Sequence, residues 1–296
     1  MKMEEIKQKN FEGERAMFGS RDLCLTNCVF NHGESPLKES SNIILNTTLF
    51  RWKYPLWYCN NVKADNCTWF DMARAGVWYT SDIEVNNAVI QAPKNFRRSR
   101  GIRLTDVAFT NALETMWSCS DVELTRVSVA KGDYFAMNCS NMTVDGLTLD
   151  GNYSFDGVKN AVIRNSRLLT KDAFWNSENI TVYDSFISGE YLGWNSKNLT
   201  LVNCTIESLQ GMCYIDNLVM KNCKLINTTL AFEYSNVDAD ISSAIDSVFN
   251  PGSGTIRAER IGELIIEKDK IDPSLTRIVC NEVAKESNLP EWMRTE

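Results

Sequence analysis

The segment WNSENITVYDSFI at 175–187 returns as WNSKNLTLVNCTI at 194–206, nineteen residues later. Repetition at a fixed spacing constrains a fold strongly, because every copy must take the same shape and pack on the next. With Ile180 aligned to Leu199, the matching apolar position is Leu23, Ile43, Val62, Ile83, Ile102, Val122, Met142, Ala161, Ile180, Leu199, Leu218 and Val237, in steps of 19 to 21 residues. A second apolar column lies two residues on, from Leu25 to Ala239. Five residues on the column is small to medium (Cys28, Cys67, Ser185, Cys204), and seven on it is large (Phe30, Phe50, Trp69, Phe109, Ile187).

Alternation with a period of two marks short strands with one buried face. The step from two to five breaks that parity, so a bend separates two strands. Asn or Asp stands at that bend: Asn27, Asn66, Asn87, Asp106, Asn165, Asp184, Asn203 and Asn222. A second polar column precedes the first apolar one, with Asn42, Asn61, Asp82, Asp121, Asn141, Asn160, Asn179, Asn198, Asn217 and Asn236. Both residue types tolerate left-handed backbone and bond locally to the main chain.

One coil cannot bury its inward face alone, whereas stacked coils about 4.8 Å apart can. The chain is therefore expected to be all-β: a single-stranded, right-handed parallel β-helix of about twelve coils, each with three short strands and three bends. A leucine-rich repeat is excluded because its first Leu would fall on Cys59, Thr80, Ser99, Cys119, Cys139, Ser177 and Ser196. A left-handed helix of hexapeptides would need a six-residue sub-period, and there is none. Open solenoid ends expose unpaired edges. Residues 1–19 are accordingly expected to cover one end, 20–244 to form the coils, and 245–296 to supply capping strands and a polar tail, all in one domain.

The run of Asn-apolar-x-apolar-x-Asn, with a small residue ahead of it, resembles the coils of pectin-lyase-like β-helices. GDYFAMNCSN (132–141), LDGNYSFDGVKN (149–160), KDAFWNSENITVYDSFISGEYLGWNSKNLTLVNC (171–204) and SLQGMCYI (208–215) resemble more closely a bacterial family, domain of unknown function 3737. That resemblance covers nearly the whole chain and implies a β-helix, with no established activity.

The chemistry of known β-helix enzymes does not carry over. His32 is the only histidine and sits in NHGES near the N-terminal end, where a groove would hardly have begun. The calcium-binding acids and Arg motif of pectate lyases find no match. No C-x-x-C or Gly-rich phosphate loop occurs, so no metal or cofactor is expected. The net charge of −7 argues against a nucleic-acid binder. The opening MKMEEIKQKNFEGERAMFGS lacks an apolar run, so neither a membrane span nor an export signal is expected, and the cytosol is the default location. The ten cysteines are then expected to be free, buried thiols.

Two features point to a ligand. The variable part of each coil aligns Trp57, Trp78, Arg97, Trp117, Met137, Trp175, Trp194, Cys213 and Phe232. Stacked aromatics there could hold sugar rings, although shared parity with the Ser/Cys/Thr column two residues later favours inward packing. Slightly earlier come Glu114, Asp133, Asp172 and Glu190, with Asp156 in a glycine-rich turn. In register, Asp172 and Glu190 would stand about 5 Å apart and Asp133 and Asp172 about 9.5 Å. Those spans bracket the carboxylate pairs of retaining and inverting glycosidases.

Asp133, Asp156, Asp172 and Glu190 are thus the candidate catalytic acids of a glycoside hydrolase-like or lyase-like protein. Tyr134, Trp175, Tyr191 and Trp194 are the candidate sugar contacts. Arg97 and Arg98 are candidates to hold an anionic group, or to pair with the acidic column. The partner expected is an oligosaccharide or small anion, and the alternative is a non-catalytic surface for protein partners.

Overall fold

A computed structural model describes residues 3–289. The chain divides into two compact units, Met1–Gly151 and Asn152–Glu296. Each is a parallel β-solenoid.

In the first unit the strands Arg21–Thr26, Ser41–Asn46, Asn60–Asp65, Ser81–Ile90, Arg100–Phe109, Ser120–Thr125 and Ser140–Asp145 stack in parallel. Their register places Leu23 beside Ile43, then Val62, Ile83, Ile102, Val122 and Met142. In the second unit Ala161, Ile180, Leu199, Leu218 and Val237 are partners in the same way. The repeated column is therefore a physical stack, and all of these side chains are buried. Phe30, Phe50 and Trp69 form a parallel column across the first bend, with neighbouring ring centroids 5.2 Å apart.

Both polar columns turn in left-handed backbone, Asn236 excepted. Asn27, Asn66, Asn87, Asp106, Asn165, Asp184, Asn203 and Asn222 have φ between 49° and 55°. Their amides also bond along the stack: Asn222 Nδ2 donates to Asn203 Oδ1 and Asn203 Nδ2 to Asp184 Oδ1, each at 3.0 Å. Asn217 donates to Asn198, Asn198 to Asn179 and Asn179 to Asn160 at 2.8 to 2.9 Å. One residue type thus makes the bend and ties it to the next coil.

A second small column, three residues before the first apolar one, has its own reason. Cys59 Sγ, Thr80 Oγ1, Cys119 Sγ and Cys139 Sγ donate to the carbonyls of Leu37, Leu56, Phe96 and Met116 on the preceding coil, at 3.1, 2.8, 3.2 and 2.9 Å. All ten cysteines are free and eight are buried.

Two sequence expectations change. The third side of the coil is a strand only at Leu56–Trp57 and Val77–Trp78 among the described residues, and elsewhere is turns with isolated bridges such as Arg97 to Trp117. Left-handed residues at alternate positions, such as Phe96 and Arg98 or Phe174 and Asn176, break any extended run there. The ends also differ from the covers expected. Glu4–Lys7 pairs in parallel with Arg21–Thr26, placing Ile6 beside Leu25, and Phe11 lies beside Phe30. Residues 4–11 are another rung of the stack. Beyond 245, Ile256 continues the column from Ala239 and Ile278 continues it again, while Ile261 and Val283 follow Ile245. These added turns bring the total to about fifteen. The sequence steps lengthen and shorten there, which is why the repeat is lost to the eye before the fold ends.

Candidate functional site

The second unit gathers acids and aromatics at one corner. Asp172 lies in left-handed backbone (φ 55°), and its N–H donates to the Glu190 carbonyl at 2.8 Å. This bond sets Asp172 beside Tyr191, whose own φ is 54°. The two acids therefore occupy neighbouring columns rather than one, because nineteen residues after Asp172 stands Tyr191. Glu190 accepts from Lys171 Nζ at 3.1 Å. Asp156 accepts from Asn176 Nδ2 at 3.2 Å, and Asn195 extends that ladder at 2.8 Å.

Asp172 is 7% exposed. Burial pushes its carboxyl above the ordinary aspartate range, the negative charges of Glu190 and Asp156 push the same way, and Lys171 opposes them. Among the described residues it has no ion pair. It is an acid held where ionisation is disfavoured.

Alongside runs an aromatic ladder. Tyr153 meets Trp175 edge-on at 6.3 Å, Trp175 lies 6.3 Å from Trp194, and Trp194 lies 4.6 Å from Tyr214. Tyr191 abuts Trp194 edge-on at 5.7 Å. Trp175 and Trp194 are half-buried, so the inward packing favoured by parity is only partly realised. The indoles lie at the rim of the corner, with one side on the core.

In the first unit the same ladder is closed. Trp57 and Trp78 are stacked at 5.1 Å with a 5° interplanar angle, and Arg97 lies over Trp78 at 5.2 Å and Trp117 at 4.3 Å. The indole N–H groups of Trp57, Trp78 and Trp117 donate to the carbonyls of Ala75, Lys94 and Tyr134 on the next coil, at 2.6, 2.8 and 2.7 Å. Arg97 imitates them: its guanidinium bonds the Glu114 carboxylate at 2.6 Å and reaches the Glu114 carbonyl at 3.4 Å. The anion that Arg97 holds is thus intramolecular. Arg98 is exposed and lies over Tyr79 at 5.9 Å. Asp133 and the exposed Tyr134 belong to this first unit, whereas Asp156, Asp172, Glu190, Trp175, Tyr191 and Trp194 belong to the second.

A family model described as "Protein of unknown function (DUF3737)" matches residues 4–279. The chain belongs to the DUF3737 family.

No curated protein matches this DUF3737 chain. Among solved structures, the periplasmic alginate epimerase AlgG is 11% identical, with a TM-score of 0.32, covering 97% of this chain and 75% of that one. The A-module of the mannuronan C-5 epimerase AlgE4 from Azotobacter vinelandii is 9% identical, with a TM-score of 0.29, covering 97% and 89%. A tailspike protein mutant of E. coli bacteriophage HK620, in complex with pentasaccharide, is 8% identical, with a TM-score of 0.38, covering 97% and 70%. Likenesses of that size say nothing about what the DUF3737 protein does.

The DUF3737 corner also holds two groups absent from the sequence reading. Glu233, 8% exposed, accepts from Gln210 Nε2 at 3.1 Å and from Tyr214 Oη at 3.5 Å. Burial pushes its carboxyl up, and those hydrogen bonds oppose the shift. The nineteen-residue step assigned this position to Phe232. A bulge moves it: Glu207 pairs with Ile226, but Leu209 pairs with Thr229, so one extra residue enters the coil. Phe232 consequently turns into the core, and Tyr214, not Cys213, continues the aromatic ladder. Among the described residues no group of three or more His, Cys, Asp or Glu could hold a metal ion, and no helix is long and apolar enough to cross a membrane.

Proposed function

We propose that the second unit binds a carbohydrate and performs acid–base chemistry on it in the manner of a glycoside hydrolase. Asp172 is the proton donor, Glu190 the acid beside it that Lys171 holds, and Trp175, Tyr191 and Trp194 are the contacts for the sugar. The observation that supports this is the position of Asp172. A carboxyl buried beside two further acids retains its proton to higher pH than a free one, as a general acid requires. Lys171 holds Glu190 without neutralising Asp172. Trp194 meets Trp175 and Tyr214 at tilts of 39° and 38°, unlike the parallel Trp57–Trp78 stack.

The test is reducing-end release from a panel of neutral and acidic oligosaccharides. Wild type should turn over at least one of them, Asp172→Asn should abolish that turnover, and Glu190→Gln should reduce it. Both variants should melt no lower than wild type. Absence of turnover across the panel, or full activity in Asp172→Asn, overturns the reading. A second reading, a non-catalytic surface for a protein partner, is favoured by the exposure of Tyr214 and Tyr234, which continue the ladder past Trp194. It predicts oligosaccharide-independent capture of a partner that Tyr214→Ala weakens.

A further inference from the structure

The first unit contains a notch, distinct from the acidic corner. Successive coils bring Ser35, Tyr54, Ala75, Lys94, Glu114 and Tyr134 to one position. Their amides bond in turn to the carbonyls of Lys53, Arg74, Pro93, Leu113 and Asp133 along the stack. All six have left-handed backbone, with φ from 51° to 63°, so their side chains leave the coil in the same sense. Between Tyr54 and Lys94 the column has only the methyl group of Ala75. The result is a depression of about 340 Å³ lined by Tyr54, Trp57, Arg74, Ala75, Trp78 and Lys94.

Its chemistry follows from the lining. Trp57 and Trp78 cover each other's faces, at 5.1 Å and 5°, and so turn edges rather than faces outward. An aromatic edge is the positive end of the ring quadrupole. Tyr54 is tilted 41° to Trp57 at 4.6 Å and forms one wall. Lys94 forms the other. It shares Glu114 with Arg97, at 3.2 and 2.6 Å, so one carboxylate serves two cations. Arg74 is exposed at the lip and enters no ion pair among the described residues. The lining itself has two cations and no carboxylate. Tyr54 and Lys94 stand two coils apart, roughly 9–10 Å between backbones, which leaves room for about one ring between their side chains.

We propose that this notch binds a small ring-bearing anion of monosaccharide size, its carboxylate or phosphate between Arg74 and Lys94 and its ring against Tyr54. Guanidinium and ammonium groups recognise both anions, the former through two parallel hydrogen bonds.

Calorimetric titration of the full chain tests this, with D-glucuronate, glucose 6-phosphate and benzoate as probes and glucose as the neutral control. At least one of the three anions should bind and glucose should not. The anion that binds distinguishes an acidic sugar, a phosphate ester and an aromatic acid. Ala75→Tyr completes the column in the manner of Tyr54 and Tyr134, and should weaken that anion by about tenfold or more at an unchanged melting temperature. Arg74→Gln, at an exposed position, should weaken it comparably even if Ala75→Tyr disturbs the coil. Asp172→Asn should leave binding intact, which separates this site from the chemistry proposed for the second unit. Failure of all three anions, equal binding of glucose, or binding that survives both notch variants overturns the proposal.

Discussion

The guanidinium of Arg97 lies 4.3 Å from the ring centroid of Trp117 and takes the place of an indole in a column of indoles. It stacks on both neighbouring rings and, like them, donates to the coil that follows. Arg97→Ala removes two cation–π contacts and a charge-assisted pair, and should cost about 2–3 kcal/mol. Arg97→Trp should restore the column and cost less than about 1 kcal/mol, since Lys94 still holds Glu114. Urea unfolding of the two variants checks the contrast. Equal losses would reduce Arg97 to a surface charge.

Stability against pH separates the two kinds of acid. The Asp172 carboxyl is raised from 3.8, first by burial, so between that value and its folded pKa the native state binds more protons than the unfolded one. Stability therefore falls as pH rises through that window, and at neutral pH Asp172→Asn should melt higher than wild type. The difference should close below about pH 4, where the acid is protonated in both states. Burial also pushes Glu114 up, but hydrogen bonds from Arg97 and Lys94 prevail and hold it below 4.5. Its contribution is present above 4.5 and lost as pH falls through the folded value. Glu114→Gln should therefore destabilise at pH 7 and approach wild type in acid. Melting curves from pH 3 to 8 read both.

Gly189 precedes Glu190 in the strand Phe186–Glu190. A Cβ there would overlap the carbonyl oxygen of Thr170 on the neighbouring coil. Gly189→Ala must force these coils apart beside Asp172, and should cost roughly 1–3 kcal/mol, the range for overpacking a tight contact. Any activity found for the corner should fall with it. A variant that melts and acts like wild type would place the coils further apart than described.

Thiol chemistry should follow burial. The Cys59, Cys67 and Cys213 thiols are each pushed up to about 12 by burial, and so carry almost no thiolate at pH 8. With an aromatic disulfide reagent, the native protein should expose Cys24 and Cys280 and release the other eight only on unfolding. Rapid reaction of more than these two would contradict the closed small-residue column.

The coil, its period and its bends were legible because each is a local rule repeated many times. Asn at a bend needs left-handed backbone wherever it occurs, so Asn27 and Asn222 could be read from the same column. Leu23 through Val237 likewise fix the register, since a slip of one residue would turn the buried face outward. The candidate acids were less legible. Asp172 and Glu190 were aligned by eighteen residues where the stack uses nineteen, and the extra residue between Ile226 and Thr229 hid Glu233. A repeat averages over copies, and such single-residue departures fall below its resolution.

The amino-acid order alone settled that this chain coils, and which side chains of the columns from Leu23 to Val237 face the core, because those properties depend on contacts between residues a nearly fixed distance apart. It could not settle what each exposed column does. Whether an arginine meets a ligand or Glu114, whether Ala75 leaves a gap, and which acid lies beside which all depend on neighbours one turn away in space. A displacement of one residue decides those contacts without disturbing the repeat.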